Sequence, residues 1–427
     1  NIQDINFEKF FNAIIKKRKF DITKIDEISK KIIRDVEVFS DNAILKYTKK
    51  FDNFFAKEFN DLIVSKEEID KAYNEVDPLV IKAIKKAAKR IKQYHIRQKP
   101  KDDFYKDKEG VFLGSQWKPI ESVGLYVPGG KASYPSSVIM NAVPAIVAGV
   151  NRIAMVVPSP NGQINPVIFA VSKILKINEI YKIGGAQAIA ALSFGTKSIK
   201  KVDKICGPGN AYVASAKKQL YGKVGIDMIA GPSEILVVAD KFNDPKNIAI
   251  DLLSQAEHDQ FAQSILITDD ESIATNVLRN IKEELKVLPR KKIALKSWND
   301  FGAIILINNL KEAIELINII APEHLELSIK NSYNFAKKIN NAGAIFLGKY
   351  TPEAIGDYIA GPNHVLPTDG TSRFSSGLNV LDFMKRTSLV KCDLKSLNKI
   401  GPDAIVLAKQ EGLEAHAKSI DIRINKE

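Results

Sequence analysis

The sequence predicts an α/β protein with parallel-rich sheets, and three observations carry that expectation. Beyond about residue 120, short apolar runs of strand character alternate with helical stretches. Glycine- and proline-rich turns stand at the junctions between them. The alternation occurs in two successive units, as a duplication would leave it, although no fixed-period repeat marks one. A chain of 427 residues also exceeds one ordinary core, and two or three domains are expected at roughly 100–200 residues each.

The elements follow in order. The first hundred residues read mostly as helices, over 26–51 and 65–98, with polar breaks between. The densest basic stretch, 82–97, interleaves Ile84, Ala88 and Ile91 with Ile81 at spacings of three and four. That pattern is an amphipathic helix with a solvated lysine face. Buried-strand runs are expected over 123–127, 152–157, 179–183 and 235–239. Further strands are read over 264–268 and 303–307 with a helix over 273–286 between them, then a helix over 310–319 and a strand over 344–347. The tail holds an apolar run, 404–408, and a helical stretch, 411–419.

Composition narrows the class. Hydrophobic content of 45% and charged content of 26% suit a folded globular protein. No apolar run approaches the ~18–20 uncharged residues of a membrane span. Asp4, Glu8 and Lys9 interrupt the first residues where a signal peptide needs an apolar core, so a cytoplasmic protein is expected. Cys206 and Cys392 sit in no CxxC pair and build no disulfide framework. The formal charge of +13 raises the question of nucleic acid. The lysines are spread along the chain, with no zinc-finger spacing, RNP-like aromatic run or basic tail, so nucleic-acid binding is not expected.

Four glycine-rich turns fall in the central region: Val127-Pro128-Gly129-Gly130, Gly184-Gly185-Ala186-Gln187, Cys206-Gly207-Pro208-Gly209-Asn210 and Ala230-Gly231-Pro232-Ser233. Gly184 and Gly185 follow a strand and open a helix, where backbone N–H groups and the helix dipole favour a phosphate. None of the four is a GxGxxG or Walker loop, so each alone is equally a tight strand-to-helix connection.

The histidines are sharper. Ser254-Gln255-Ala256-Glu257-His258 ends an amphipathic run and places an amide and an imidazole three apart on one face, two corners of a metal site or a polar helix end. In Ala321-Pro322-Glu323-His324, Pro322 stops a helix and Glu323-His324 opens a strand-like run, 324–328. A carboxylate beside an imidazole suits a general base and a water activator. Asp357 ends a short helix with Thr351 read as N-cap and Pro352 as first residue, His364 follows in a Gly-Pro-Asn turn, and Glu411 and His416 lie near the C-terminus. Taken singly, each of these is a polar surface residue. Four of the five histidines nevertheless fall in such motifs, His95 being the exception. Together they suggest a metal site of mixed N and O ligands, suited to Zn²⁺, Mn²⁺ or Co²⁺.

As an ordered set, the motifs resemble the histidinol dehydrogenase family. The resemblance extends from Asp41-Asn42-Ala43-Ile44-Leu45-Lys46-Tyr47-Thr48 through Gly124-Leu125-Tyr126-Val127-Pro128-Gly129-Gly130, Gly231-Pro232-Ser233-Glu234 and Arg373-Phe374-Ser375-Ser376 to 411–416. It implies two incomplete Rossmann-like domains with small N- and C-terminal pieces, in an intertwined homodimer. The implied division is an arm, 1–20; a first domain, 21–121 with 235–378; a second, NAD-binding domain, 122–234; and a tail, 379–427, crossing to the partner.

Zinc would be held by Gln255, His258, Asp357 and His416, the last from the partner subunit. L-histidinol would complete the metal's shell, and Ser233, His324, His364 and Glu411 would also touch it. Tyr126, Gln187 and Asn210 would line the NAD site. The implied reaction is NAD-dependent oxidation of histidinol to histidine in two hydride transfers, with His324 as base and Glu323 activating water for the aldehyde. Where some members carry a small residue and a threonine, this chain has Ile359 and Pro362, and its first twenty residues match weakly. The competing reading is a zinc hydrolase using Glu323 and a metal-bound water. No nucleic-acid or membrane partner is implied.

Overall fold

The computed structural model describes residues 1–16, 23–129 and 134–424. Gly130 of the first glycine turn lies outside them. The strands are β1 (Asp103–Lys106), β2 (Phe112–Pro119), β3 (Ser122–Tyr126), β4 (Arg152–Val156), β5 (Glu179–Tyr181), β6 (Lys204–Cys206), β7 (Gly225–Ile226), β8 (Glu234–Ala239), β9 (Gln263–Thr268), β10 (Ala303–Leu306), β11 (His324–Ser328), β12 (Ala344–Leu347) and β13 (Met384–Lys391).

Two five-stranded sheets dominate, ordered β5-β4-β3-β6-β7 and β10-β9-β8-β11-β12. Every pairing within them is parallel. Numbered by its own strands, each sheet runs 3-2-1-4-5. The expected α/β architecture with parallel-rich sheets is therefore present. Strands β3, β8, β9 and β11 are buried along their whole length, and β3, β8 and β9 accordingly hold apolar runs rather than alternating patterns, whereas β11 buries His324, Glu326 and Ser328 between its leucines.

Helices cover both faces of each sheet. On the first, Leu125, Met155 and Ile180 pack with Val138, Val143 and Ile168, while Val156 and Ile205 pack with Ile189, Leu192 and Val213 on the other side. On the second, Leu236, Ile265 and Leu325 meet Leu316 and Ile317, while Val237 and Leu266 meet Leu252, Val277 and Ile281. The N-terminal helix Phe7–Lys16 docks Phe11 on the second sheet.

Three expectations need correction. The helical stretches read over 26–51 and 65–98 are each two helices: Thr23–Phe39 and Asp41–Asp52, broken at Ser40 with φ 52°, and Lys66–Glu75 and Pro78–Ile96, broken at Val76 and Asp77. Thr351 does not cap the short helix Glu353–Tyr358; its hydroxyl donates to the Leu347 carbonyl, and Pro352 occupies the cap. The grouping of 21–121 with 235–378 is also not how these residues pack. Ile32, Val36, Ile44 and Tyr47 bury on one face of the first sheet, and Ile69, Ile84 and Ile91 on its other. Their apolar faces complement helices of that unit, while a tie to the second runs through Arg90, which donates to the Ile359 and Ala360 carbonyls.

The sequence pattern did not announce a small antiparallel sheet, β1-β2-β13. It carries the tail, whose helices Leu394–Gln410 and Glu414–Ile424 pack against each other. Among the described residues no helix is long and apolar enough to cross a membrane.

Candidate active site

Two groups of the expected residues gather at different sheet edges. The first lies at the amino ends of β8 and β11. Ala321, in the left-handed region at φ 50°, ends the helix Ala313–Ile320, and Pro322 prevents its continuation. The chain then pairs with the approach to β12: Gly343 N–H donates to the Pro322 carbonyl and Ala344 N–H to that of Glu323, each at 2.9 Å. These bonds fix Glu323 and His324 side by side at the start of a buried strand.

His324 is enclosed. Its Nδ1 lies 2.9 Å from the Glu234 carbonyl oxygen and 3.3 Å from the Gln255 amide. The carboxylates of Glu353 and Glu323 approach the same nitrogen at 3.4 and 3.7 Å. Nε2 has no hydrogen-bond partner and faces Asp357 Oδ1 at 3.8 Å. A carbonyl only accepts, so Nδ1 carries the proton and the Nε2 lone pair is free. Burial, with the like charges of His258 and His364 adding to it, pushes the His324 pKa down to about 3. The imidazole is a neutral acceptor at physiological pH.

The carboxyls move the other way. Glu323 accepts from Glu234 N–H at 2.9 Å, yet burial, reinforced by Glu234 and Asp357, holds its pKa well above the usual range. Burial lifts Asp357 to about 7. His364 hands its Nδ1 to the Asp357 carbonyl at 3.0 Å, and burial lowers its pKa to about 4. His258 is lowered by burial and then by Arg290. Ser233 immediately precedes β8, and its carbonyl accepts from Gln263 N–H.

Donor atoms of His324, Glu353 and Asp357 lie within 4.8 Å of one another, close enough to share a cation. Of the four expected metal ligands, that set includes Asp357. Gln255 is buried against His324 with Oε1 unpartnered, an oxygen lacking the donor or cation it needs. Glu411 and His416 are exposed on the tail, and the cation-holding set among the described residues contains neither. The donor chemistry fits a divalent metal with N and O ligands.

Sequence reading missed Glu353 and the buried pair behind it. Glu353 opens its helix, donates its backbone N–H to the Glu326 carboxylate and leaves Oε2 unpartnered. Glu326 in turn bonds Asp251, and burial raises Glu326 to about 8 and Asp251 to about 6. A signal existed: Glu326 stands between Leu325 and Leu327 in a strand-like segment, where an unpaired charge is costly.

The second group lies at the carboxyl ends of β3 to β6, around the glycine turns. Tyr126 ends β3, and its hydroxyl accepts from Gly185 N–H at 3.1 Å, where the helix Gly185–Phe194 begins. Gln187 is buried with Oε1 unpartnered. Asn210 caps the helix Ala211–Leu220, accepting from the N–H groups of Tyr212 and Val213. Gly207 has φ +116°, and a Cβ there would stand 2.0 Å from the Tyr126 carbonyl, so only glycine fits. A buried Lys217–Asp227 ion pair clamps this turn: Lys217 donates to the Gly207 carbonyl, and Asp227 accepts from its N–H. Bare backbone, a helix N-terminus and unpartnered polar atoms fit a dinucleotide's phosphates and hydroxyls.

The two groups are tied by the segment 227–233, which leaves β7 at the carboxyl edge of one sheet and enters β8 at the amino edge of the other. It spans at most roughly 25 Å.

Comparisons with known proteins agree with this picture. The family model for histidinol dehydrogenase matches residues 15–424. A histidinol dehydrogenase of Rhodospirillum rubrum is 54% identical over 422 residues, covering 99% of this chain and 97% of the relative. One from Rhizobium meliloti is 53% identical over 427 residues, covering 100% and 98%. The crystal structure of histidinol dehydrogenase from Elizabethkingia anophelis superposes with a TM-score of 0.90 at 40% identity, covering 95% of this chain and 93% of that one.

Proposed function

This chain belongs to the histidinol dehydrogenase family, and on that premise we propose that it oxidises L-histidinol to L-histidine through L-histidinaldehyde, using NAD and zinc, in the last steps of histidine biosynthesis. The observation that carries the mechanism is His324, held by its Nδ1 on the Glu234 carbonyl with Nε2 free.

Gln255, His258 and Asp357, with His416 of the partner subunit, would hold the zinc. Ser233, His324, His364 and Glu411 would complete the contacts to substrate. Tyr126, Gln187 and Asn210 would line the NAD site, and the two 3-2-1-4-5 sheets support incomplete Rossmann-like units. When bound, zinc supplies a Lewis acid that orients the substrate's amine and imidazole nitrogens, and NAD supplies the hydride acceptor.

The protein's own groups move the protons. His324 Nε2 takes the alcohol proton as the carbon-bound hydrogen leaves as hydride, giving the aldehyde. Glu323, whose basicity burial raises, takes a proton from the water that adds to that aldehyde, while His324 returns its proton to the carbonyl oxygen, giving the hydrate and freeing Nε2. His324 then takes the hydrate proton as the second hydride leaves, giving the carboxylate. Enclosure at the sheet edge keeps the aldehyde from side reactions.

A homodimer with shared active sites and a cytoplasmic location belong to the same reading. Supporting the dimer, Leu394, Val406 and Leu407 of the tail helices stand exposed, an apolar surface of the kind a partner covers. The hydrolase alternative is not favoured, because it leaves the family match and the glycine-lined crevice without a purpose.

The test is NADH formation with L-histidinol, before and after chelation and zinc add-back. Two NADH per histidinol, lost on chelation and restored by zinc, are expected. No NADH from folded, zinc-loaded protein overturns the assignment.

A further inference from the structure

We propose that Asp52 receives the adenosine ribose of the dinucleotide, and that it selects NAD over its 2′-phosphorylated counterpart. The inference rests on the NAD reading above.

In a sheet of this strand order, the carboxylate that bonds the ribose hydroxyls ordinarily stands at the end of the second strand. Here that strand is β4, and the residues after it, Val157 to Gln163, include no acidic side chain. A carboxylate nonetheless arrives there from elsewhere in the chain. Asp52, the last residue of the helix Asp41–Asp52, accepts a hydrogen bond from the backbone N–H of Ser159, three residues past β4. The neighbouring turns hold it in place: Asn53 donates to Asn161 at 2.8 Å, and the Phe54 ring lies against Gly162.

The position is costly without a ligand. Asp52 is 9% exposed, and its Oδ2 is buried with no partner. It also ends a helix, where the dipole disfavours a negative charge. Burial raises its pKa to about 6, and its charge helps raise that of the Tyr126 hydroxyl. A buried acceptor lacking a donor, at the same carboxyl edge as the Tyr126 hydroxyl that bonds the helix N-terminus at Gly185, is suited to a vicinal diol. A 2′-phosphate would bring a dianion against a desolvated carboxylate.

The decisive measurement is calorimetric titration with ADP-ribose and with 2′-phospho-ADP-ribose, which needs no turnover. Wild type is expected to prefer ADP-ribose by at least about tenfold, one charge-assisted hydrogen bond's worth. Asp52→Asn keeps the shape and the Ser159 contact. It should weaken ADP-ribose about tenfold and bring the two ligands within a few-fold of each other. If the Asn variant fails to fold by circular dichroism, Asp52→Ser, which also offers Ser159 an acceptor, is titrated instead with the same expectation. Unchanged ADP-ribose affinity, or an unchanged ratio, in the folded variant overturns the role of Asp52 while leaving the NAD reading intact. Absence of ADP-ribose binding to wild type overturns both.

Discussion

The two large sheets share one strand order, 3-2-1-4-5, yet the candidate site residues gather at opposite edges. The first gathers Gly129, Gly184, Gly185 and Gly207 at the carboxyl ends of its strands. The second gathers Glu234, Glu323, His324 and Glu353 around the amino ends of β8 and β11. The difference has a physical basis. Around the second site, buried carboxylates take up backbone N–H groups: Glu323 on Glu234 N–H, Glu326 on Glu353 N–H, Glu234 on Asp369 N–H. The carboxyl edge of the first sheet offers close-packed backbone at a helix start, which suits phosphate rather than proton transfer. Topology gathers strand ends; the residues there decide the chemistry.

That contrast can be broken one edge at a time. The largest effect is expected from His324→Asn, which removes the free Nε2: kcat for NADH formation should fall about a thousandfold, with ADP-ribose affinity unchanged. A fall of less than tenfold would remove His324 as the base. Next comes Glu323→Gln, which should cost about a hundredfold, chiefly in the second oxidation. Product analysis should find NADH per histidinol below two, with aldehyde trapped by a carbonyl reagent; a ratio still at two assigns water activation elsewhere.

Gly207→Ala attacks the other edge. Its φ and the Tyr126 carbonyl leave no room, so about 1–3 kcal/mol of stability should be lost, visible as a lower denaturant midpoint. An unaltered midpoint would show that the turn yields freely.

The smallest effect is Asp52→Asn on stability. The folded pKa of about 6 exceeds the ordinary 3.8, so the folded state holds the proton more tightly. Stability from this group is greatest below about pH 4, declines as pH rises to about 6, and is level above. The variant should flatten that decline in melting temperature and gain about 1 kcal/mol above pH 6. A wild-type profile without the decline contradicts a buried, unpaired carboxylate.

Much of this was legible in the residues. The runs at 123–127, 152–157, 235–239, 264–268, 303–307 and 344–347 fall on β3, β4, β8, β9, β10 and β12 to within about a residue. Glu323 and His324 stood out because Pro322 marks a junction and histidine is scarce. Glu353 did not, since a glutamate in a helix's first turn is ordinary and only its burial makes it unusual. The sheet β1-β2-β13 escaped because β2 is half-buried without clean alternation and β13 lies far along the chain. Asp52 escaped for the same reason: nothing local relates it to Ser159.

The sequence by itself determined the α/β class, the order of elements, the glycine edge and the Glu323–His324 pair. Those rest on hydrophobic period, turn chemistry and chain adjacency, which act within a few residues. Tertiary structure alone decided that helices 23–96 pack mainly on the first sheet, that Glu353 and Asp357 converge on His324, and that Asp52 closes the end of β4. Those outcomes depend on which apolar faces fit one another across long separations, and on burial, which turns ordinary carboxylates into costly ones.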